Sequence, residues 1–389
     1  MMTTERLFDR DAELLDFDAL VLSCDRGKDG WEAVLDRTAF FPEGGGQGAD
    51  HGLLGPARVL DVHDRKGIIV HLLDAPLTAG ETVHGEVDAE RRLSMMQQHT
   101  GEHILSGLIC RLYHCSNVGF HIGTDAVTVD FNAELGPEDL LRVERLANEC
   151  VWRDQPVRTL LPDPEELRHI EYRSKKEIDG EIRIVTIDGV DTCACCGTHV
   201  PSTGRVGQIK ILSCIRYKGG VRLSILCGMR ALAYEQGLLE ENRAVSRLLS
   251  AKQGELAPAV SRLLEERDAL RWRTEALGMR LFEAACAAEQ GSVRVVTADM
   301  LEPGMLRKAA GRLAAGARLA LVLLPKEDGW SFALSGAEDV RPACRALCAR
   351  FGGKGGGPAD MAQGILAGGS EAELRRCLEE MTEDGHAQQ

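Results

Sequence analysis

The chain has 389 residues, of which 44% are hydrophobic, and a formal net charge of −14. That length exceeds one ordinary domain and suits two or three, while the apolar content excludes a disordered chain. No apolar run approaches the roughly 18 residues of a membrane span, and the first residues lack the basic-then-apolar pattern of a secretory signal; a soluble, cytoplasmic protein is expected. Residues 1–88 carry short strand-like runs, at 31–35 and 67–72, between Gly, Pro and Asp punctuation, which predicts a small β-barrel or sandwich. A helix is predicted over 89–112, with Leu93, Met96, Ile104, Leu105 and Leu108 on its core side. A strand at 126–131, a helix at 137–153 with Pro137 in its first turn, and strands at 183–187, 208–215 and 221–226 follow, giving an α+β domain over 89–230.

From 231 to 289 the texture turns to Leu, Glu, Arg and Ala. Leu249, Leu256, Leu263, Leu270 and Leu277 recur at intervals of seven, a helical arm with one apolar seam. The second seam fails at Lys252, Glu266 and Arg273, and Pro258 is expected to kink or split the helix. A helical hairpin or connecting arm follows, which could pair two copies into a homodimer. Residues 290–389 form a C-terminal α/β domain, with strands at 293–297 and 319–324 and a helix at 371–381. A glycine loop, Phe351-Gly352-Gly353-Lys354-Gly355-Gly356-Gly357-Pro358, lies between them.

Of the 13 cysteines, ten are scattered singly and only Cys193, Cys195 and Cys196 cluster, which fits a reducing compartment with a metal site better than a disulfide framework. An acidic protein is an unusual partner for nucleic acid, yet residues 192–234 hold no Asp or Glu and six cations: Arg205, Lys210, Arg216, Lys218, Arg222 and Arg230. Screening confines electrostatics to roughly 8–10 Å, so such a stretch can meet a phosphate backbone locally, unless it is simply a sheet surface lacking acids.

The chemistry concentrates in two pairs. His99 and His103 stand four apart on the predicted helix and so share one face. Cys195 and His199 have the same separation across Cys196-Gly197-Thr198, with Gly197 free to turn tightly. Three imidazoles and one thiolate are borderline-soft donors suited to tetrahedral Zn2+. The second pair is not unique, because Cys193 and Cys196 form a C-x-x-C and could ligate instead, or act as outer or redox partners. Cys195 matches the spacing to His199.

Four stretches together resemble the editing domain of alanyl-tRNA synthetase and its freestanding relatives, the alanyl-tRNA editing proteins. Thr38-Ala39-Phe40-Phe41-Pro42-Glu43-Gly44-Gly45-Gly46-Gln47 is similar to T-x-F-Y-x-E-G-G-G-Q. His99-Thr100-Gly101-Glu102-His103 matches H-T-x-x-H, and residues 191–200 match the segment ending C-G-G-T-H-V. Residues 352–363 resemble the glycine-rich stretch of the synthetase's C-terminal domain. Two positions depart: Cys196 stands for the first glycine of G-G-T-H, and Phe41 for a tyrosine. The barrel begins near the N-terminus, leaving no room for an aminoacylation domain, so the resemblance implies an editing protein of the long type acting in trans.

What the resemblance implies is hydrolysis of the ester joining a wrong amino acid, chiefly serine with glycine as a second substrate, to tRNA(Ala). Thr38 and Gln47 fall at the family's pocket and are expected to bind substrate, with Lys354, Arg216 and Lys218 touching RNA. Four protein donors would ordinarily close a zinc site, so the metal either activates the ester or only positions it. No dedicated general base stands out; His121 and Glu102 are the nearest in sequence. The rival readings are a tRNA-binding protein with structural zinc and a phosphoesterase; the latter lacks an Asp-His-His triplet.

Overall fold

The computed structural model describes residues 3–174, 182–252 and 254–384. It is a mixed α+β protein with several sheets, divided into two compact units, Met1–Glu241 and Asn242–Gln389.

The first unit opens with β1 (Glu5–Arg6) and the single turn α1 (Leu7–Arg10), followed by β2 (Asp16–Arg26), β3 (Trp31–Leu35) and β4 (Arg37–Thr38). Next come β5 (Gly52–Leu54), β6 (Ala57–Arg65), β7 (Ile68–Leu73) and β8 (Thr82–Val87). Six of these strands close into an antiparallel barrel in the order β2-β3-β7-β6-β5-β8. The pattern that builds it is legible on β2, where Phe17, Ala19 and Val21 point in while Asp16, Asp18 and Leu20 point out.

One polar pair is sealed inside this barrel. His71 is fully buried, with Nδ1 3.3 Å from the Ala33 carbonyl and Nε2 2.9 Å from the Thr38 hydroxyl. A carbonyl can only accept, so Nδ1 carries the proton and Thr38 donates to Nε2, while the Phe40 N–H donates to Thr38 Oγ1 at 3.1 Å. Burial pushes the His71 imidazole down from 6.5 to about 4, only partly opposed by the Ala33 carbonyl. The unfolded chain therefore takes up a proton below pH 6.5 that the folded protein refuses until about pH 4. This group lowers stability by about 3 kcal/mol as pH falls through that window and contributes nothing above it. Urea unfolding midpoints at pH 7 and 4.5 should show a smaller drop for His71→Gln than for the unaltered chain.

Beyond the barrel, α2 (Ala89–Tyr113) runs for 25 residues, capped by the Asp88 carboxylate on the Arg91 N–H and stopped at His114, whose φ is 51°. β9 (Asn117–Ile122), β10 (Val127–Phe131), α3 (Pro137–Trp152), β11 (Val157–Leu160), β12 (Ile184–Ile187) and β13 (Asp191–Ala194) follow. The hairpin of β14 (Ile209–Tyr217) and β15 (Gly220–Cys227) leads into α4 (Gly228–Leu249). These strands form a four-stranded sheet, β14-β15-β10-β9, and a three-stranded one, β11-β12-β13. The single core face expected of α2 is too narrow a description. Met96, Ile104, Leu105 and Leu108 are buried, but so are Gln98, His99, Thr100, Glu102, His103 and Ser106. Polar residues survive there because each is met: Gln98 exchanges two 2.8 Å hydrogen bonds with the Cys227 backbone. Gly101 permits that approach, since a Cβ would lie 2.2 Å from Cys227 Sγ.

The second unit holds α5 (Leu256–Ala288), β16 (Val293–Thr297), α6 (Leu306–Leu313), β17 (Leu319–Lys326), β18 (Gly329–Gly336), α7 (Arg341–Phe351), β19 (Gly353–Gly356), β20 (Met361–Leu366) and α8 (Glu371–Asp384). The strands make one sheet, β16-β17-β18-β20-β19, parallel only between β16 and β17. One apolar cluster takes in α7 and α8, the other α6 and the end of α5 through Met279 and Phe282. The arm splits into two helices as expected, but the break comes ahead of the proline. The arm breaks near Ser250, at φ 48°, and Pro258 sits in the first turn of α5, where its missing N–H costs nothing. The leucine row is exposed at Leu263, Leu270 and Leu277 rather than buried within this unit. The glycine stretch is not a loop but the strand β19: Gly355 lies against Phe332 and Cys344, where a Cβ would come within 2.7 Å of the ring.

Candidate metal centre

The helix α2 sets His99 and His103 with ring centroids 5.4 Å apart, and the turn after β13 brings His199 within 4.7 Å of both. Cys195 Sγ lies 3.3 Å from His99 Nε2 and 3.4 Å from His199 Nε2. All four donor atoms fall within 4.8 Å of one another. A tetrahedral ion with ordinary Zn–N and Zn–S bonds spaces its nitrogen and sulfur donors by roughly 3.5 Å. Gly197 matters here through proximity rather than its own torsions, because a Cβ would stand 2.1 Å from His99 Cε1.

Each imidazole is held at its far nitrogen, so that Nε2 faces inward. Gln47 Nε2 donates to Thr198 Oγ1 at 2.8 Å and Gln47 Oε1 accepts the Thr198 N–H at 3.2 Å, which fixes the carboxamide's orientation. His99 Nδ1, 2.9 Å from that same Oε1, must therefore donate and leave Nε2 bare. His103 Nδ1 meets Asp191 Oδ2 at 2.9 Å, and His199 Nδ1 meets Thr100 Oγ1 at 3.2 Å. Arg183 ties down the turn by donating to the Cys195 and Gly197 carbonyls at 3.1 and 2.6 Å.

Burial alone would push the Cys195 thiol up, but His99, His103 and His199 around it carry it well below its ordinary value. Burial likewise disfavours charge on His103, and the Cys195 thiolate and Asp191 overcome it, so that its pKa rises. Burial takes His199 down to about 3, leaving it neutral. A thiolate, three inward-facing Nε2 atoms and outer acceptors on all three rings are what a d10 dication of borderline softness requires. The residues fit a metal ion. A second grouping, His103, Asp191 and Cys193, approaches equally closely. It fits poorly, because the Arg173 guanidinium already occupies both Asp191 oxygens, at 2.7 and 2.8 Å.

Residues 182–223 match the model of the threonyl and alanyl tRNA synthetase second additional domain, and residues 11–91 that of class II (A) tRNA synthetases. Relatives include the alanine–tRNA ligases of Pyrobaculum neutrophilum, 36% identical over 94% of this chain and 43% of the relative, and of Pyrococcus abyssi, 33% identical over 95% and 42%. The chain belongs to the alanyl-tRNA synthetase-related family. It spans about two fifths of the length of the curated relatives it matches.

Against this family frame, the expected site residues divide. His99, His103, Cys195 and His199 converge. Cys193 is buried in β13, and Cys196 is exposed, its Sγ 2.8 Å from where a Gly45 Cβ would be, so it faces the Gly44–Gly46 turn. Gln47 is buried, with Oε1 on His99 and the Thr198 N–H and one Nε2 hydrogen on Thr198 Oγ1, and Thr38 is closed inside the barrel against His71. Phe41, in place of tyrosine, packs edge-on against Phe8 at 5.5 Å. Glu102 is buried, with Oε1 accepting from Ser106 and Asn117 and Oε2 4.0 Å from His103 Nε2. His121 is exposed on the wall of a cleft formed with Glu43, the glycine turn and His63.

The acid-free basic stretch is less basic in space than in sequence. Arg205 pairs with Glu13, Lys210 with Glu144 and Arg222 with Asp130, while Arg230 donates to carbonyls at Gly123 and Thr124. Arg216 and Lys218 stand exposed at the tip of the β14–β15 hairpin, and Lys354 is exposed on β19. Sequence reasoning did not single out Thr100, Asp191 or Arg173, which meet His199, His103 and the Asp191 carboxylate. The first two sit inside the quoted motifs, whereas Arg173 gave no local signal. Among the described residues no helix is long and apolar enough to cross a membrane.

Proposed function

We propose that the protein is a zinc-dependent hydrolase that removes wrongly attached serine, and secondarily glycine, from tRNA(Ala). The observation that carries this reading is the convergence of His99, His103, Cys195 and His199 with each imidazole pinned at Nδ1. Those four residues would hold the zinc. When bound, the ion supplies Lewis-acid chemistry suited to an aminoacyl ester.

The chain's own residues supply the rest. A synthetic site for alanine excludes serine poorly, since small size differences are worth only about 1–3 kcal/mol, whereas a second site that hydrogen-bonds a hydroxyl rejects the analogue lacking it. One hydrogen of Gln47 Nε2 goes to Thr198. The second is assigned to the serine hydroxyl, and Thr38, closed against His71, supports from inside the barrel the segment that leads to Gln47. Arg216, Lys218 and Lys354 meet the RNA backbone, and the exposed row Leu263, Leu270 and Leu277 serves pairing between two copies. A reducing, cytoplasmic location accords with thirteen free cysteines.

One observation favours a second reading, a tRNA-binding protein with structural zinc: four protein donors make a closed set. Deacylation of Ser-tRNA(Ala) and Ala-tRNA(Ala) by the full chain separates the two. The hydrolase reading expects serine to be released at least about 10²-fold faster than alanine. Tight binding with no acceleration over buffer would leave the binding protein instead.

A further inference from the structure

The three imidazoles of the donor set are not held equally. His99 gives its Nδ1 proton to a neutral carboxamide, and His199 meets a neutral hydroxyl that also accepts the Val200 N–H at 3.2 Å. His103 alone meets a carboxylate, Asp191, whose side chain is buried at 2% exposure. Arg173 grips that carboxylate with Nε on Oδ1 and Nη2 on Oδ2. Its own backbone is fixed to β13, the Arg173 N–H donating to the Thr192 carbonyl at 2.8 Å and the Ala194 N–H to the Arg173 carbonyl at 2.9 Å.

We propose that Asp191, clamped by Arg173, is the positioning residue that sets how tightly the donor set retains its metal, with His103 the anchoring donor. An imidazole that gives its Nδ1 proton to a carboxylate is more electron-rich at Nε2 than one bonded to a neutral acceptor, and binds a cation more strongly. The carboxylate's charge also offsets that of the ion inside a water-poor site. Arg173 adds a negative function. By filling both oxygens it keeps Asp191 out of the donor set and leaves His103 to point Nε2 at Cys195 rather than share a second cluster with Cys193. This inference rests on the metal reading of the site but not on ester hydrolysis.

The test is zinc affinity of the metal-stripped full chain, measured by competition with a chromophoric chelator, alongside the melting temperature of each metal-free protein. Asp191→Asn is expected to weaken zinc retention by about 10–100-fold. Thr100→Val should weaken it less than tenfold, and Asp191→Glu should recover part of the loss. Arg173→Lys keeps the charge but loses the fork and should fall between, which preserves the test should Asp191→Asn fail to fold. Equal affinity for Arg173→Lys, or for a folded Asp191→Asn, and the unaltered chain would overturn the proposal. So would losses that track metal-free melting temperature alone and strike Thr100→Val as hard. Failure of the unaltered chain to take up zinc would overturn the metal reading itself, a distinct result from absent deacylation by a zinc-loaded chain.

Discussion

His103→Ala is expected to strip the purified protein of zinc and slow release of serine from tRNA(Ala) by about 10²–10³-fold. The variant deletes one of four converging donors, and it is the donor tied to a carboxylate. It also leaves Asp191 and Arg173 facing a void. Electrophilic assistance by a metal is worth several kcal/mol in such reactions, and each 1.36 kcal/mol is about tenfold in rate. Metal content by mass spectrometry and the first-order decay of Ser-tRNA(Ala) read the two effects separately. His121→Ala, on the wall of the outer cleft, is the comparison and should cost less than tenfold. Full activity in a zinc-free His103→Ala protein would remove the metal from the reaction.

The second large effect falls on stability. Arg92→Leu should cost about 3–5 kcal/mol, because it leaves a buried carboxylate without its cation. Arg92 and Asp50 both have 1% side-chain exposure. The guanidinium also donates to the Ala12 and Ala39 carbonyls, so one residue of α2 fastens the helix to three connecting segments that flank the barrel strands. Asp50 in turn accepts the Phe41 N–H at 2.7 Å, next to the turn that carries Gln47. Urea unfolding of Arg92→Leu, Asp50→Asn and the double variant makes a cycle whose expected signature is strong coupling, the double variant being far less damaged than the sum of the singles. Additive losses would mean that the pair is not the fastening.

These two sites show where the sequence was legible. His99 and His103 could be placed on one helix face from spacing alone, and Cys195 with His199 could be matched to them because zinc constrains donor type and number. The barrel strands announced themselves by alternation, as at Phe17, Ala19 and Val21. What spacing could not supply was the destination of polar side chains inside the fold. Gln47 is expected at a substrate pocket, yet its amide is buried and oriented by Thr198, 151 positions away. Thr38 reads as a strand threonine facing a pocket, yet its hydroxyl is closed against His71, 33 positions away. Arg173 belongs to no periodic segment at all. The glycine stretch at 352–357 misled for a related reason: glycine is allowed both in a turn and where a ring presses on a strand, and only Phe332 decides which.

The burial of α2 on every side bears on how an ion gets in. Zinc fingers organise their ligands only as the metal arrives, so for them loading and folding are one event. Here the imidazoles are already aimed by Gln47, Asp191 and Thr100, on a helix whose middle is inaccessible to water. Uptake and release are then expected to be local exchanges at the Cys195 edge, the least buried of the four donors, rather than folding events.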